Sequence, residues 1–162
     1  MNKLKLAIVS CCFLGCSPFA PGTVGTLGGV AIAFFLRDTQ WFPLWALLAC
    51  AVLYAISQPL GEWAEQYAGR KDPGIFVMDE VIGYLITVMW TKGPSYLALA
   101  VAFFVFRFFD IVKPPPARAM ERIPGGHGII LDDVFAGLWG LLVVMLPARL
   151  FLTDLHWTVG GP

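Results

Sequence analysis

Five apolar stretches separated by short polar breaks organise this chain. They cover residues 23–36, 43–60, 77–91, 96–112 and 129–150. A helix crossing a bilayer takes about 20 apolar residues. The second and fifth stretches meet that length and the fourth comes close. The first and third are shorter, and the third carries Asp79 and Glu80. These two are expected to be tilted, half-buried or partly outside the bilayer. All five predict helices, because lipid admits only helices or closed barrels, and the period-two alternation of a barrel strand is absent. The breaks fit that reading. Arg37-Asp38-Thr39-Gln40 is a polar turn, residues 69–74 are rich in turn formers, and Lys92-Gly93-Pro94 ends the third stretch. Pro114-Pro115-Pro116 stops the fourth helix. Trp41, Trp45, Trp90 and Trp157 stand near segment ends, where interfacial aromatics belong. The expected fold is all-α: one domain over residues 1–162, a polytopic membrane bundle of about four to five apolar helices.

Composition strengthens the membrane reading. The chain is 58% hydrophobic with a mean hydropathy of +0.74. Soluble domains are typically about 45–50% apolar, and 162 residues cannot bury such an excess internally. The formal net charge is zero, which speaks against a nucleic-acid partner. Cys11, Cys12, Cys16 and Cys50 have no metal-binding spacing and read as small apolar residues. At the N-terminus, Lys3 and Lys5 precede an apolar run ending Phe13-Leu14-Gly15-Cys16, loosely like a lipoprotein cleavage site. The alternative is an interfacial lead-in over residues 1–22.

The charges are distributed unevenly. With five alternating spans, one side collects Lys3, Lys5, Arg70, Lys71, Arg107, Lys113, Arg118 and Arg122. The other has Arg37, Lys92 and Arg149. The excess marks the first side as cytoplasmic. The same topology brings Asp79 and Glu80, Asp110, and Asp132 and Asp133 to that side. Carboxylates crowded at a membrane face repel one another unless a cation sits among them. A hard divalent ion suits oxygen ligands, and Mg²⁺ is the usual choice where a phosphate completes its shell. Arg107 and Asp110 share a helix face at i,i+3. Arg107, Lys113, Arg118 and Arg122 supply cations for phosphate. Carboxylates for a metal beside cations for phosphate indicate phosphoryl chemistry. Gly83 and Gly137 each follow an aspartate by four, allowing close helix approach one turn deeper.

Plainer readings exist for several of these residues. First-turn acids stabilise a helix dipole, although that leaves Asp110 unexplained. Arg118 and Arg122 could hold anionic lipid headgroups. His127, in a glycine-rich loop, is either an acid–base group or a turn residue. No Cys precedes an Arg by six positions and no Asp-x-Asp occurs, so thiol and aspartyl phosphatase mechanisms lack their motifs. From the residues alone, a small transporter or ion-conducting protein and a non-catalytic lipid-binding subunit stay open.

Four ordered motifs resemble the phosphatidylglycerophosphatase A family. They are the Pro21-Gly22-Thr23 opening, Asp72-Pro73-Gly74 with Asp79-Glu80-Val81-Ile82-Gly83, Phe106 to Pro114, and Gly125 to Asp133. The resemblance implies Mg²⁺-dependent removal of the terminal phosphate from phosphatidylglycerol phosphate, in a bacterial inner membrane. It makes cleavage at Cys16 less attractive, because the Pro-Gly-Thr segment then belongs to the catalytic region. The expected catalytic residues are Asp79, Glu80, Asp110, Asp132 and Asp133, with Asp79, Glu80, Asp132 and Asp133 holding the metal. The expected substrate contacts are Thr23, Arg107, Lys113, Arg118 and His127.

Overall fold

The computed structural model describes residues 2–159, which form helices, turns and an isolated bridge between Pro94 and Thr158. The helices are α1 (Asn2–Val9), α2 (Pro21–Leu36), α3 (Phe42–Ser57), α4 (Gly61–Ala68), α5 (Met78–Val88), α6 (Tyr96–Val112), α7 (Ala117–Met120), α8 (Gly126–Trp139) and α9 (Leu146–Phe151). Each of the five apolar stretches is therefore helical. Proline starts α2, where a missing N–H costs nothing. The Ser95 hydroxyl caps α6 by accepting from the Ala98 N–H. A π segment, Gly140–Met145, joins α8 to α9 just before Pro147, which has no N–H to donate.

Helix α5 is the hub. It packs against α2, α3, α6 and α8. Nine of its residues are buried: Met78, Asp79, Val81, Ile82, Gly83, Tyr84, Leu85, Thr87 and Val88. This burial agrees with a third stretch that is not a simple lipid-facing span. Eleven residues rise about 16 Å, half of the ~30 Å hydrocarbon core. The stretch is apolar because other helices surround it, so its side chains face protein more than lipid.

The α5–α8 crossing is backbone on backbone. A Cβ on Gly137 would collide with the Gly83 carbonyl, and one on Gly83 would meet Asp133 O at 2.7 Å and the Phe106 ring. Thr87 Oγ1 donates to Gly83 O at 3.0 Å and lies 3.3 Å from Gly137 O. Glycine is needed at both positions by this approach. The spacing argument from the sequence is borne out here.

Two continuous helical stretches are long and apolar enough to cross a membrane, Phe42–Ala68 and Gly126–Phe151. Helix α3 is apolar on its outer face, exposing Leu44, Trp45, Leu47, Leu48, Val52 and Ile56. Its buried positions are Phe42, Ala46, Cys50 and Ser57. A helix that turns most of its large apolar side chains outward, with Ala46, Cys50 and Ser57 inside beyond its first turn, suits lipid rather than water.

The lead-in is part of the packed structure. Val9 and Ser10 are fully buried. Val9 O accepts from the Val77 N–H at 2.8 Å, just before α5. Lys71, Arg118 and Arg122 line one cleft. Arg37 and Lys92 line a pocket elsewhere, and Lys92 shares another with Arg149.

Candidate active site

Four helices deliver carboxylates or cations to one end of the molecule. Asp79 and Glu80 occupy the first turn of α5, where the Asp79 Oδ1 accepts from the Glu80 N–H at 3.0 Å. Asp133 projects from α8, one turn before the glycine crossing. Because α5 and α8 touch there, the three side chains meet. Ligand-capable oxygens of Asp79, Glu80 and Asp133 all lie within 4.8 Å of one another. Helix α8 begins at Gly126, so Asp132 and Asp133 lie beyond its first turn. The helix-dipole explanation fails for that pair.

Two cations border this trio. Arg107 Nη1 lies 2.6 Å from Asp110 Oδ2 and 3.9 Å from Glu80 Oε1. The i,i+3 pairing expected from the sequence is therefore present. Lys113 Nζ donates to Asp132 Oδ2 and to Glu121 Oε1, both at 2.6 Å. Burial opposes the charge on Lys113, but its bonds to Asp132 and Glu121 outweigh that and raise its pKa above the ordinary lysine value. Lys113 holds a left-handed conformation, φ 47°, at the end of α6. That conformation costs about 1–2 kcal/mol in a non-glycine residue, and the turn brings Nζ between the two acids.

The remaining expected residues divide clearly. Asp132, expected among the metal ligands, stands outside the trio, with its Oδ2 held by Lys113. Thr23 sits in the first turn of α2, next to Gly22, whose backbone packs against Glu80 and Arg107. Arg118 lines a cleft of about 410 Å³ with Lys71, Asp72, Glu121, Arg122 and Asp132. His127 lies elsewhere. Its Nδ1 shares a 2.5 Å hydrogen bond with the Tyr54 hydroxyl, facing a separate pocket with Gln58 and Glu62. Glu121 went unnoticed in the sequence, and Lys71 was read only as one of the cations of the cytoplasmic side. Lys71 Nζ donates to the Glu121 carbonyl at 2.6 Å, tying the loop before α5 to the segment after α7.

The trio fits a cation. Glu80 Oε2 and Asp133 Oδ1 are buried without a hydrogen-bond partner, as is Asp132 Oδ1 beside them. An unmet buried polar atom costs about 1–3 kcal/mol, and more when charged. The donors are all carboxylate oxygen, the chemistry of a hard divalent ion. With Asp110, Asp132 and Glu121 nearby, the acids outnumber Arg107 and Lys113.

The model of one family, described as phosphatidylglycerophosphatase A, matches residues 7–148. The chain belongs to the phosphatidylglycerophosphatase A family. Two proteins named phosphatidylglycerophosphatase A are similar to it. The Escherichia coli K12 protein is 32% identical over 90% of this chain and 81% of its own length. The Haemophilus influenzae protein is 33% identical over 77% of each. A Bacteroides thetaiotaomicron protein, provisionally named a phosphatidylinositol-3-phosphatase, is 37% identical over 90% of this chain and 89% of its own. No solved structure matches. As a member of the phosphatidylglycerophosphatase A family, the chain is a phosphatase of lipid metabolism. The ion-conducting and non-catalytic readings gain no support. The family and the two apolar helices together make it a membrane protein.

Proposed function

We propose that this protein hydrolyses the terminal phosphate monoester of phosphatidylglycerol phosphate, with Mg²⁺, at the cytoplasmic face of a bacterial inner membrane. The observation that carries this is the buried trio of Asp79, Glu80 and Asp133 with unpartnered oxygens, beside Arg107 and Lys113. The family and two relatives carry the name of that activity. The orientation rests on the cationic residues gathered at the site end, following the positive-inside tendency.

Asp79, Glu80 and Asp133 would hold the Mg²⁺. Bound there, it supplies positive charge that neutralises phosphoryl oxygens and orients water. Arg107 and Lys113 add fixed donors where charge spreads over the transferred phosphoryl group. Asp110 holds the Arg107 guanidinium toward Glu80, and Asp132 with Glu121 holds the Lys113 ammonium. Both cations are therefore preorganised before substrate arrives. In the reaction, water oxygen bonds to phosphorus and the bond to the glycerol oxygen breaks. A proton from water ends on the released hydroxyl. Thr23 and the start of α2 lie at the same end and would contact the headgroup. Arg118, with Lys71 and Arg122, would face the phosphate from the aqueous side. His127 has no role in this scheme.

The experiment is phosphate release by the purified protein from phosphatidylglycerol phosphate, phosphatidic acid, lysophosphatidic acid and phosphatidylinositol 3-phosphate, with and without Mg²⁺. Preferred, Mg²⁺-dependent release from phosphatidylglycerol phosphate supports the reading. Preference for phosphatidylinositol 3-phosphate would transfer the assignment to the substrate in the Bacteroides relative's name. Full activity in chelator would end the metal proposal.

A further inference from the structure

An apolar groove of about 480 Å³ runs along the outside of the bundle between α2 and α6. Its walls are Leu27, Val30 and Phe34 from α2, and Leu99, Phe103 and Phe104 from α6. On α2, one turn back from Leu27 is Thr23. On α6, one turn on from Phe103 is Arg107. Residues four apart share a helix face. The stripes that line the groove thus lead directly to the two residues at its head. Arg107 Nε is buried there without a hydrogen-bond partner. At the foot, Arg37 Nη2 donates to the Tyr96 hydroxyl at 3.1 Å, and its guanidinium covers the Phe34 and Tyr96 rings.

The groove has a definite length. From Thr23 to Phe34 is eleven residues on α2, a rise of about 16 Å. That is close to one leaflet of a hydrocarbon core ~30 Å thick. Arg107 at the head beside the acidic trio, and an apolar track closed at its foot, match a lipid with an anionic headgroup and a chain attached. We propose that this groove binds one acyl chain of the lipid substrate and draws its headgroup toward Arg107 and the acidic trio. This rests on the phosphatase reading above and adds a residence for the chain. Recognition then includes the tail, and a free headgroup loses that share of the binding energy.

Ala31 and Ala100 line the groove and are exposed, so Ala31→Trp and Ala100→Trp would fill it without entering the core. The full-length protein is assayed on dipalmitoyl phosphatidylglycerol phosphate and on its deacylated, water-soluble headgroup. The ratio of kcat/KM for the two should fall about tenfold in each variant. Leu47→Trp, on the exposed face of α3, should leave the ratio as in wild type. An unchanged ratio in both groove variants overturns the proposal. A second readout does not depend on turnover. Phosphatidylglycerol phosphate carrying a diazirine in its acyl chain should label the Val30–Phe34 and Leu99–Phe104 segments. The same chain on phosphatidylcholine should label α3 at least equally. Identical labelling by the two probes overturns the groove, as does crosslinking of these segments to a second copy of the chain. Absence of hydrolysis of either substrate by wild type would defeat the phosphatase reading, while the labelling still tests the groove.

Discussion

Asp79 and Asp133 approach each other from different helices, and neither has a cationic partner of its own among the described ion pairs. Asp79→Asn or Asp133→Asn keeps the shape and removes charge. Phosphate release should fall ~10²–10³-fold, as for loss of other groups that stabilise transition-state charge. Membrane insertion and helical circular dichroism should be unaltered. Lys113 makes a different case. Lys113→Met strips the buried Asp132 carboxylate of its partner, and removing one partner of a buried pair costs about 3 kcal/mol, whereas the more exposed Glu121 adds little. Thermal unfolding in detergent should show the loss, and adding Asp132→Asn should restore part of it. Since the Lys113 pKa is raised, its stabilisation is fully present below the ordinary value of 10.5 and fades only above it. Stability should therefore show no Lys113 titration around neutral pH. Much of this residue-level picture was legible from the acidic pairs and the i,i+3 spacing of Arg107 and Asp110. Glu121 was not, because it reaches Lys113 through a left-handed turn and a one-turn helix without periodic pattern. His127 drew notice by its chemistry, while its position beside Tyr54 depends on how α8 meets α3.

At the scale of elements, the glycine crossing sets the separation of Asp79 and Glu80 from Asp133. Gly137→Ala places a methyl against the Gly83 carbonyl, so α5 and α8 must part. Overpacking of this kind costs typically 1–3 kcal/mol. The melting temperature should drop, and activity should drop further than stability alone accounts for, since Asp79 and Asp133 separate. Activity equal to wild type in the folded Gly137→Ala protein would show that the crossing does not position the site. The sequence pointed to close helix approach at both glycines, because each lies one turn beyond an acid on the same face, but not to their mutual contact. It did not reveal that α5 is enclosed. Leu85, Val81 and Val88 look alike whether lipid or protein surrounds them.

For the whole molecule, chelation and topology are the decisive tests. If the trio binds Mg²⁺, the metal stabilises the folded state by mass action, by about 2.7 kcal/mol at a hundredfold excess over Kd. EDTA should lower both activity and melting temperature, and Mg²⁺ should restore both. Cysteines introduced at Lys71 and at Lys92 should label from opposite sides of a sealed membrane. Labelling of both from one side would contradict the alternating arrangement. The five helical stretches and their acidic ends follow from hydropathy and charge. The number of complete crossings does not, because length alone separates α3 with α4, and α8 with α9, from their shorter neighbours.

The backbone contact between Gly83 and Gly137 leaves no hinge between the helices that present Asp79, Glu80 and Asp133. The cations at the rim belong instead to connecting segments: Lys71 before α5, and Arg118 and Arg122 around α7. Under the proposed function, reaction chemistry and headgroup choice would fall to separate pieces of the chain. Grafting the rim segments between homologues should exchange selectivity among polyol phosphates and leave the bond-breaking apparatus untouched, a modular route to new specificities within one scaffold.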